Sequence, residues 1–453
     1  MVKGKIHKFQ KNGLRIMLDV PSGAVHVIDE ITWDVMDCYD GENAQHVPAL
    51  LADKYARAEV ASVLAELAEL RAQGMLFSEE ARPGEIFETP AVVKSLCLHI
   101  AHDCNLRCGY CFAGSGNFGG DRSVMSAAVG RQAIDFLIAH SGARKNSEID
   151  FFGGEPLLNF AVVKEIVAYG NQQAALQGKK FKFTLTTNAL LLDESVIAYL
   201  NENNISVVLS LDGRPQVHDR MRPDCGGGGS YARVQPRISR LVESRHNEGY
   251  YVRGTYTKLN PDFDADVLHM ADLGYRQLSV EPVVGKGEDY AFGDEDLPAL
   301  YAAYDRLTAA YLTRKSEGRP FNFFHFNLDI NHGPCVAKRL SGCGAGHEYF
   351  AVTPAGDLYP CHQFVGREEF KMGDVWQGLV QKELSRKFRR THIFNKEECP
   401  TCWARYYCSG GCHANAQAFH NDLTKPYKLG CELQKYRLEC AIYIQVKQAL
   451  DRA

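Results

Sequence analysis

The sequence predicts an α/β protein built around a partial parallel barrel, with a smaller domain before the barrel and a cysteine-rich region after it. In the middle of the 453-residue chain, strand-like and helix-like runs alternate six times. Polar motifs directly follow several of these strand-like runs. Nine of the fifteen cysteines lie from Cys335 to Cys440, which sets the C-terminal region apart. A chain of this length can hold two or three domains.

Short runs of β-branched and apolar residues predict the strands of the barrel. They are Ser95–Ala101, Glu148–Gly154, Phe181–Thr187, Ile205–Asp212, Tyr250–Thr257 and Arg276–Val283. Segments of helical periodicity lie between them, including Ala127–His140, Ala161–Gln177 and Tyr231–Arg245. Strands that alternate with helices favour a parallel sheet. We therefore predict a partial (β/α)6 barrel of the TIM type.

Chemistry-bearing residues are expected at the C-terminal ends of these strands, where such barrels place their active sites. Three cysteines, Cys104, Cys108 and Cys111, follow the first strand in AHDCNLRCGYCF. GGEP, residues 153–156, ends the second strand, Thr186–Thr187–Asn188 ends the third, and SLDGRPQVHDRMRP, residues 210–223, ends the fourth. For GGEP alone, a plain Gly-Gly turn before a helix is an equal alternative.

The three cysteines indicate an iron–sulfur cluster with a free coordination site. A structural zinc ion takes four ligands, and this run supplies three thiols. Cubane [4Fe–4S] clusters are held by cysteine thiolates, so three cysteines leave one iron open to a ligand that is not protein. A zinc site or scattered core thiols are the alternatives.

The C-x3-C-x2-C spacing with Phe112 directly after it resembles the radical S-adenosylmethionine (SAM) superfamily. The resemblance implies that the open iron binds SAM. It places Phe112 at the adenine, Gly153, Gly154 and Glu155 at the methionine amino group, and Ser210 and Asp212 at the ribose. Arg222 or Arg253 would pair with the SAM carboxylate, although a structural salt bridge is as good an account of either arginine. The set of SAM-binding candidates is completed by Thr186 and Asn188.

The C-terminal cysteines resemble the SPASM extension of peptide-modifying radical SAM enzymes. Their pattern is C-x12-G-x4-C from Cys343 to Cys361, then C-x2-C-x5-C-x3-C, then Cys431. The resemblance assigns Cys343, Cys361 and Cys412 to a first auxiliary [4Fe–4S] cluster. It assigns Cys399, Cys402, Cys408 and Cys431 to a second. Cys335 is an eighth candidate that closes the first cluster or stays free, and a zinc ribbon over residues 399–412 is an alternative. Cys38, Cys97, Cys225 and Cys440 fit no template.

The N-terminal region has strand-like runs at residues 5–20 and 24–30 and helix-like runs near residues 31–39, 48–54 and 59–73. It resembles the winged-helix RiPP recognition element, which takes up the leader of a ribosomally made precursor peptide on an edge strand. A plain capping domain is the alternative. The predicted domains are residues 1–82 for this element, 90–320 for the barrel and 321–453 for the SPASM domain.

Composition excludes several other classes. The net charge is −4 and no basic tract is longer than KFRR at residues 387–390, so nothing indicates nucleic-acid binding. No run of about eighteen apolar residues predicts a membrane span, and the N-terminus lacks the apolar core of a signal peptide. We expect a cytoplasmic protein, in which fifteen cysteines favour metal or redox chemistry over disulfides.

Over almost its whole length the chain resembles the thioether-forming maturases of SCIFF peptides, short precursors with six cysteines. The runs that carry this are LCLHIAHDCNLRCGYCFAG, DFFGGEPL, TPAGDLYPCHQFVG and CSGGC. The resemblance implies SAM and three [4Fe–4S] clusters as cofactors, with a precursor peptide and a flavodoxin- or ferredoxin-type reductant as partners. A 5′-deoxyadenosyl radical would remove a hydrogen atom from the peptide, and no side-chain base is assigned. Peptide epimerisation, carbon–carbon crosslinking and plain iron–sulfur electron transfer are the alternatives.

Overall fold

The computed structural model describes residues 5–80, 91–330 and 340–452. The chain divides into two compact units. The barrel unit contains residues 90–324 and 343–390, and the flanking unit contains residues 1–89, 325–342 and 391–453. In the flanking unit, residues distant in sequence therefore share one body.

The N-terminal part of the flanking unit is a small antiparallel sheet packed against helices. The strands are β1 (Ile6–Lys11), β2 (Leu14–Asp19) and β3 (Val25–Ile28), and the helices are α1 (Glu30–Cys38), α2 (Val47–Leu50) and α3 (Arg57–Ala72). The strand order is β1-β2-β3. Asn12 and Gly13, both with positive φ, form the two-residue hairpin turn between β1 and β2. Asp29 caps α1 by accepting a 2.9 Å hydrogen bond from the backbone N–H of Thr32.

This part has its own core, which explains why so short a segment holds its shape. Val35 and Met36 of α1, and Tyr39 directly after it, pack with Val60 and other buried residues of α3, the sheet and the loop after α3. Each fully buried apolar side chain of this size contributes about 1.5–3 kcal/mol.

The barrel unit begins with a parallel sheet whose strands alternate with helices. Its elements are β4 (Ser95–Ala101), α4 (Ala127–His140), β5 (Asn146–Gly153), α5 (Phe160–Leu176), β6 (Lys180–Thr187), α6 (Glu194–Glu202), β7 (Ser206–Ser210), α7 (Pro215–Met221), α8 (Tyr231–Ser244), β8 (Tyr250–Tyr256), α9 (Phe263–Asp272), β9 (Gln277–Pro282), α10 (Leu297–Ser316) and β10 (Asn322–Phe323). Each strand from β4 to β9 is parallel to the next. The prediction of six parallel strands and a partial barrel is confirmed.

Four short strands extend the sheet beyond β4. They are β11 (Tyr349–Val352), β12 (Asp357–Tyr359), β13 (Gly373–Asp374) and β14 (Gly378–Leu379). β11 runs parallel to β4, and the remaining strands are antiparallel to their neighbours. The unit ends with α11 (Lys382–Arg390), so the basic run at residues 387–390 is a helical segment.

The C-terminal part of the flanking unit is helical and contacts the N-terminal sheet. Its helices are α12 (Arg405–Cys408), α13 (His413–His420) and α14 (Lys428–Leu450). His7 of β1 stacks on Trp403 with ring centroids 3.8 Å apart, and its Nε2 lies 2.9 Å from Glu439 of α14. The N-terminal sheet is therefore built into the same unit as the last helix. None of the helices that the structure describes has the length and apolar character to cross a membrane.

Candidate iron–sulfur and SAM-binding site

The three-cysteine loop, residues 104–111, follows β4 directly and is held from behind by backbone contacts. The N–H of Arg107 donates to the carbonyl of Pro223, and the N–H of Gly109 donates to that of Met221, both at 2.8 Å. The chain after α7 therefore supports the loop and fixes where its thiols lie.

The thiols are partly buried and close enough to influence each other. Burial raises the pKa of Cys104 to about 12 and that of Cys108 to about 11, and it also raises the pKa of Cys111. The neighbouring thiols add to the rise at Cys104. Such thiols become thiolates when iron binds them, because a metal ion outweighs the cost of burial.

The donor set of the loop suits a cluster. The three thiols lie on one short loop directly after β4. In a cubane each thiolate binds its own iron atom, so the thiols need not converge on one point. The chemistry of these donors therefore fits the cluster that the sequence predicts.

The two glycines of GGEP let the second strand end directly against the three-cysteine loop. A Cβ at Gly153 would lie 2.4 Å from the carbonyl oxygen of Ala101, and a Cβ at Gly154 would lie 2.1 Å from that of Asp103. Gly153 also has a φ of +121°. The glycines thus permit the close backbone approach expected of them, and their contact with the methionine amino group of SAM stays a prediction.

Glu155 joins the ends of β5 and β6 beneath the loop. Its buried carboxylate accepts hydrogen bonds from the N–H of Leu157 (3.0 Å), the N–H of Asn188 (2.8 Å) and the hydroxyl of Thr187 (2.8 Å). Burial raises its pKa to about 7 although these bonds oppose the rise. The Asn188 amide in turn donates to Asn105 at 2.7 Å and lies 3.6 Å from the Cys104 sulfur. Glu155 thus positions Asn188 against the loop.

Asp212 has protein partners where the resemblance implies a ribose. Its side chain is fully buried. It forms an ion pair with Arg222 (3.0 Å), and it accepts hydrogen bonds from the hydroxyl of Tyr110 and the N–H of Thr255. This geometry favours a positioning role for Asp212 over ribose contact. Arg222 also stands beside Cys108. Of the two roles predicted for Arg222, the structure shows the salt bridge, which it forms with Asp212.

The remaining SAM candidates lie on three neighbouring strands, β6, β7 and β8. Ser210 of β7 is in register with Arg253 of β8. The Arg253 side chain is half exposed and forms a 2.8 Å ion pair with Glu281. Thr186, near the end of β6, is partly buried. These three residues stay predicted SAM contacts.

Phe112 is 53% exposed beside the three-cysteine loop. Its ring lies 5.3 Å from that of His362 and 6.5 Å from that of Phe152. An exposed ring in this position suits the stacking of a flat ligand, and the adenine contact stays a prediction.

The sequence analysis did not single out two neighbours of the loop. Tyr110 lies between the second and third cysteines, and the aromatic at that position was an available signal. His99, in LCLHIAH, forms a hydrogen bond with His102, and 3.0 Å separates Nδ1 of His99 from Nε2 of His102. Burial lowers the pKa of His99 well below its usual value and that of His102 to about 4, so both rings are neutral near pH 7.

The predicted ligands of the first auxiliary cluster do not share one unit. Cys343 and Cys361 belong to the barrel unit, and Cys412 belongs to the flanking unit. Cys361 follows β12 and is buried. Cys335 lies outside the described residues. The assignment of this cluster therefore stays a prediction.

The four-cysteine site, Cys399, Cys402, Cys408 and Cys431, lies wholly in the flanking unit. Cys408 ends α12 and Cys431 lies in the first turn of α14. Burial raises the pKa of Cys399 and of Cys431 to about 12, and at Cys431 the other three thiols contribute. The fold therefore gathers the four thiols that the spacing predicts for the second auxiliary cluster.

Two parts of the chain match described protein families. Residues 98–274 match the radical SAM superfamily, and residues 343–403 match the iron–sulfur cluster-binding SPASM domain. The cysteine-type anaerobic sulfatase-maturating enzyme of Clostridium novyi is 23% identical over 349 residues, which is 72% of this chain and 90% of that protein. The radical SAM cyclopropyl synthase TigE of Paramaledivibacter caminithermalis is 23% identical over 377 residues, 77% of this chain and 74% of that protein.

Solved structures show the same fold. Native anSMEcpe with bound AdoMet has a TM-score of 0.65 at 21% identity, covering 78% of this chain and 99% of that one. Streptococcus suis SuiB bound to precursor peptide SuiA has a TM-score of 0.51 at 15% identity, covering 94% of this chain and 98% of that one. Together with the three-cysteine loop, the family matches show a radical SAM domain at residues 98–274 and a SPASM domain at residues 343–403, and the solved structures show the fold.

Proposed function

We propose that this protein installs an intrapeptide thioether crosslink in a cysteine-rich precursor peptide of the SCIFF type. The observation that carries the proposal is the share of this chain that each solved structure covers. The fold of peptide-bound SuiB spans 94% of this chain, whereas the fold of anSMEcpe spans 78%. A structure solved with a bound precursor peptide therefore covers more of this chain than the structure of anSMEcpe does.

The reaction needs two electrons to leave the peptide. A C–H bond and an S–H bond are lost and a C–S bond forms. When bound, SAM and the cluster of the three-cysteine loop supply the radical chemistry that removes the hydrogen atom. The thiol proton goes to solvent, and the second electron leaves through an auxiliary site. Of the three [4Fe–4S] clusters proposed, the auxiliary pair would serve this purpose.

The chain's own residues position these parts. The contacts of Arg107 and Gly109 with the chain after α7 hold the three-cysteine loop, and Glu155 holds Asn188 against it. Phe112 offers its exposed ring beside the loop, and Arg253, which is in register with the last residue of β7, offers a half-exposed guanidinium. A low-potential flavodoxin or ferredoxin is the proposed electron donor.

We also propose that the leader of the precursor binds along β3. The edges of the N-terminal sheet are β1 and β3. Side chains of β1 already contact α14, since His7 lies 2.9 Å from Glu439 and the Lys11 ammonium lies over the Tyr436 ring at 4.4 Å. On β3, Val27 is 46% exposed. An edge strand of this kind accepts a peptide by β-augmentation.

The crosslink is tested by mass spectrometry of a six-cysteine precursor after anaerobic reaction with SAM and a reductant. We expect loss of two hydrogens per bridge and one fewer thiol available to iodoacetamide after disulfide reduction. Loss of two hydrogens with every thiol still free would indicate a carbon–carbon crosslink. An unchanged mass, with deuterium uptake from D2O, would indicate epimerisation.

Sulfatase maturation is a second candidate, favoured by the likeness to sulfatase-maturating enzymes of Clostridium novyi and of Clostridium perfringens, 23% and 26% identical. Modification of a cysteine-type sulfatase peptide, with the six-cysteine precursor left unchanged, would support it against our proposal. Formation of 5′-deoxyadenosine in either assay excludes a plain electron carrier.

Leader binding is tested on β3 and not by deletion, because residues before 89 share a unit with the C-terminal helices. Val27→Glu should weaken precursor binding measured by fluorescence anisotropy, while SAM cleavage without peptide persists. Leu50→Glu, at an exposed position of α2, is the control. Unchanged affinity in Val27→Glu would favour the capping-domain alternative.

A further inference from the structure

Lys396 is a buried cation inside the four-cysteine site. It is 2% exposed. Its ammonium donates a 2.6 Å hydrogen bond to the carbonyl oxygen of Gly410, a residue that lies between Cys408 and Cys412 in sequence. The side chain also packs on Gly410, where an added Cβ would lie 3.2 Å from the lysine Cδ. The ammonium is therefore fixed next to the chain that carries two of the cysteines.

No carboxylate balances this charge within the part of the chain that the structure describes. Lys396 forms a single side-chain hydrogen bond there, to a neutral carbonyl, and it is in none of the ion pairs. Burying an unpaired ammonium costs several kcal/mol. Burial accordingly lowers the pKa of Lys396, and the negative charge of the nearby thiolates opposes this.

The groups that can balance the ammonium are the thiols themselves. Cys399, Cys408 and Cys431 of the four-cysteine site act on Lys396 electrostatically, as does Cys412, which the family pattern assigns to the first auxiliary cluster. A [4Fe–4S] cluster with four thiolates carries a net negative charge, and that charge grows when the cluster gains an electron. The cation thus has its counter-charge only when the site is loaded.

Lys435 offers a matched comparison in the same unit. It lies near Cys402 and Cys431, but its ammonium pairs with Glu432 at 2.8 Å and its side chain is 34% exposed. Its charge is thus already balanced by a carboxylate and screened by solvent.

We propose that Lys396 is the counter-charge of the second auxiliary cluster and raises its reduction potential, which makes this cluster the acceptor of the electron released by crosslinking. The inference rests on the proposed assignment of that cluster to the four-cysteine site. Net charge and solvent exposure are among the factors that set the potentials of such clusters. A buried cation stabilises the reduced, more negative state more than the oxidised one.

The test compares Lys396→Gln, Lys396→Arg and Lys435→Gln in the full-length, anaerobically reconstituted protein. Each is made in a Cys104→Ala, Cys108→Ala, Cys111→Ala background to remove the signal of the SAM-binding cluster. Iron per chain is measured first, followed by redox titration monitored by electron paramagnetic resonance. The signal that disappears in Cys399→Ala identifies the second auxiliary cluster.

We expect Lys396→Gln to shift the reduction equilibrium of that cluster about tenfold toward the oxidised state, a fall of about 59 mV for one electron. Lys396→Arg and Lys435→Gln should stay close to the parent protein. If Lys396→Gln loses the cluster while Lys396→Arg keeps it, the charge is needed for assembly, which also supports the proposal.

Three results would overturn the inference. The first is an unchanged potential in a loaded Lys396→Gln protein, and the second is an equal shift in Lys435→Gln. The third is loss of the cluster in both Lys396 variants with folding retained by circular dichroism, which would show a packing role. Iron content unaffected by Cys399→Ala would instead overturn the cluster assignment itself, and peptide crosslinking is assayed separately.

Discussion

A buried cation lies beside the thiols of both the three-cysteine loop and the four-cysteine site, but among the residues that the structure describes only the cation at the loop pairs with a carboxylate. Arg222, beside Cys108, pairs with Asp212 at 3.0 Å. Lys396, beside Cys399, has a carbonyl as its partner. The loop is thus electrostatically balanced by protein alone, whereas the four-cysteine site is balanced only with its thiolates charged.

This difference agrees with what each site has to do in the proposed reaction. The loop must hold its shape while a ligand occupies the open iron, so contacts such as those of Asp212 and Glu155 are made by the protein beforehand. The four-cysteine site has no such ligand to receive, and its charge can be tuned for electron storage instead. The comparison predicts different losses when each site is damaged.

The largest effect is expected from removing the thiols of one site at a time. The Cys104→Ala, Cys108→Ala, Cys111→Ala variant should lose about four irons per chain and all SAM cleavage. Cys399→Ala should lose a similar amount of iron but keep SAM cleavage in the absence of peptide. Iron analysis and chromatography of 5′-deoxyadenosine measure both. SAM cleavage by the triple variant would contradict the assignment of the loop.

A smaller effect is expected from breaking the ion pair behind the loop. Arg222→Gln leaves Asp212 buried without its cation and should cost about 3–5 kcal/mol of stability. Arg253→Gln removes an exposed pair with Glu281 and should cost about 0–1 kcal/mol. Urea denaturation of the metal-free proteins compares them. Equal losses in the two variants would show that the burial of Asp212 does not set the cost.

The smallest effect is a change of stability with pH that arises from Glu155. Its pKa is raised from 4.5 to about 7 by burial, so the unfolded chain releases this proton at lower pH than the folded protein does. Stability should therefore fall as pH rises from about 4.5 to 7, by on the order of 3 kcal/mol from this group. Glu155→Gln should lack that part of the slope. Buried histidines such as His99 change stability with pH in the opposite direction. The quantity to measure is therefore the difference in unfolding free energy between the parent protein and Glu155→Gln at each pH. Parallel pH profiles of the two proteins would contradict the prediction.

Local pattern was enough to predict the strands and the sites of chemistry. Six apolar, β-branched runs became β4–β9, because strands buried on both faces of a parallel sheet read as continuous apolar segments. The predicted fourth strand is longer than β7: Leu211 and Asp212 leave the strand, since Asp212 bonds the N–H of Thr255 and the side chains of Tyr110 and Arg222. The cysteine spacing identified both thiol sites because ligands must recur at short intervals along a loop.

Sequence by itself therefore determined the fold class, the three-cysteine loop and the four cysteines of the flanking unit. Only the tertiary structure decided which polar residues are already paired and which have no counter-charge. Asp212, ten residues before Arg222, meets a partner that no spacing rule predicts, and Glu155 meets Thr187 and Asn188 from the next strand. Lys396 looks like any surface lysine in the sequence. Its burial among four thiols depends on α12 and α14 folding around it, and the electrostatic cost of burial exists only once water has been removed.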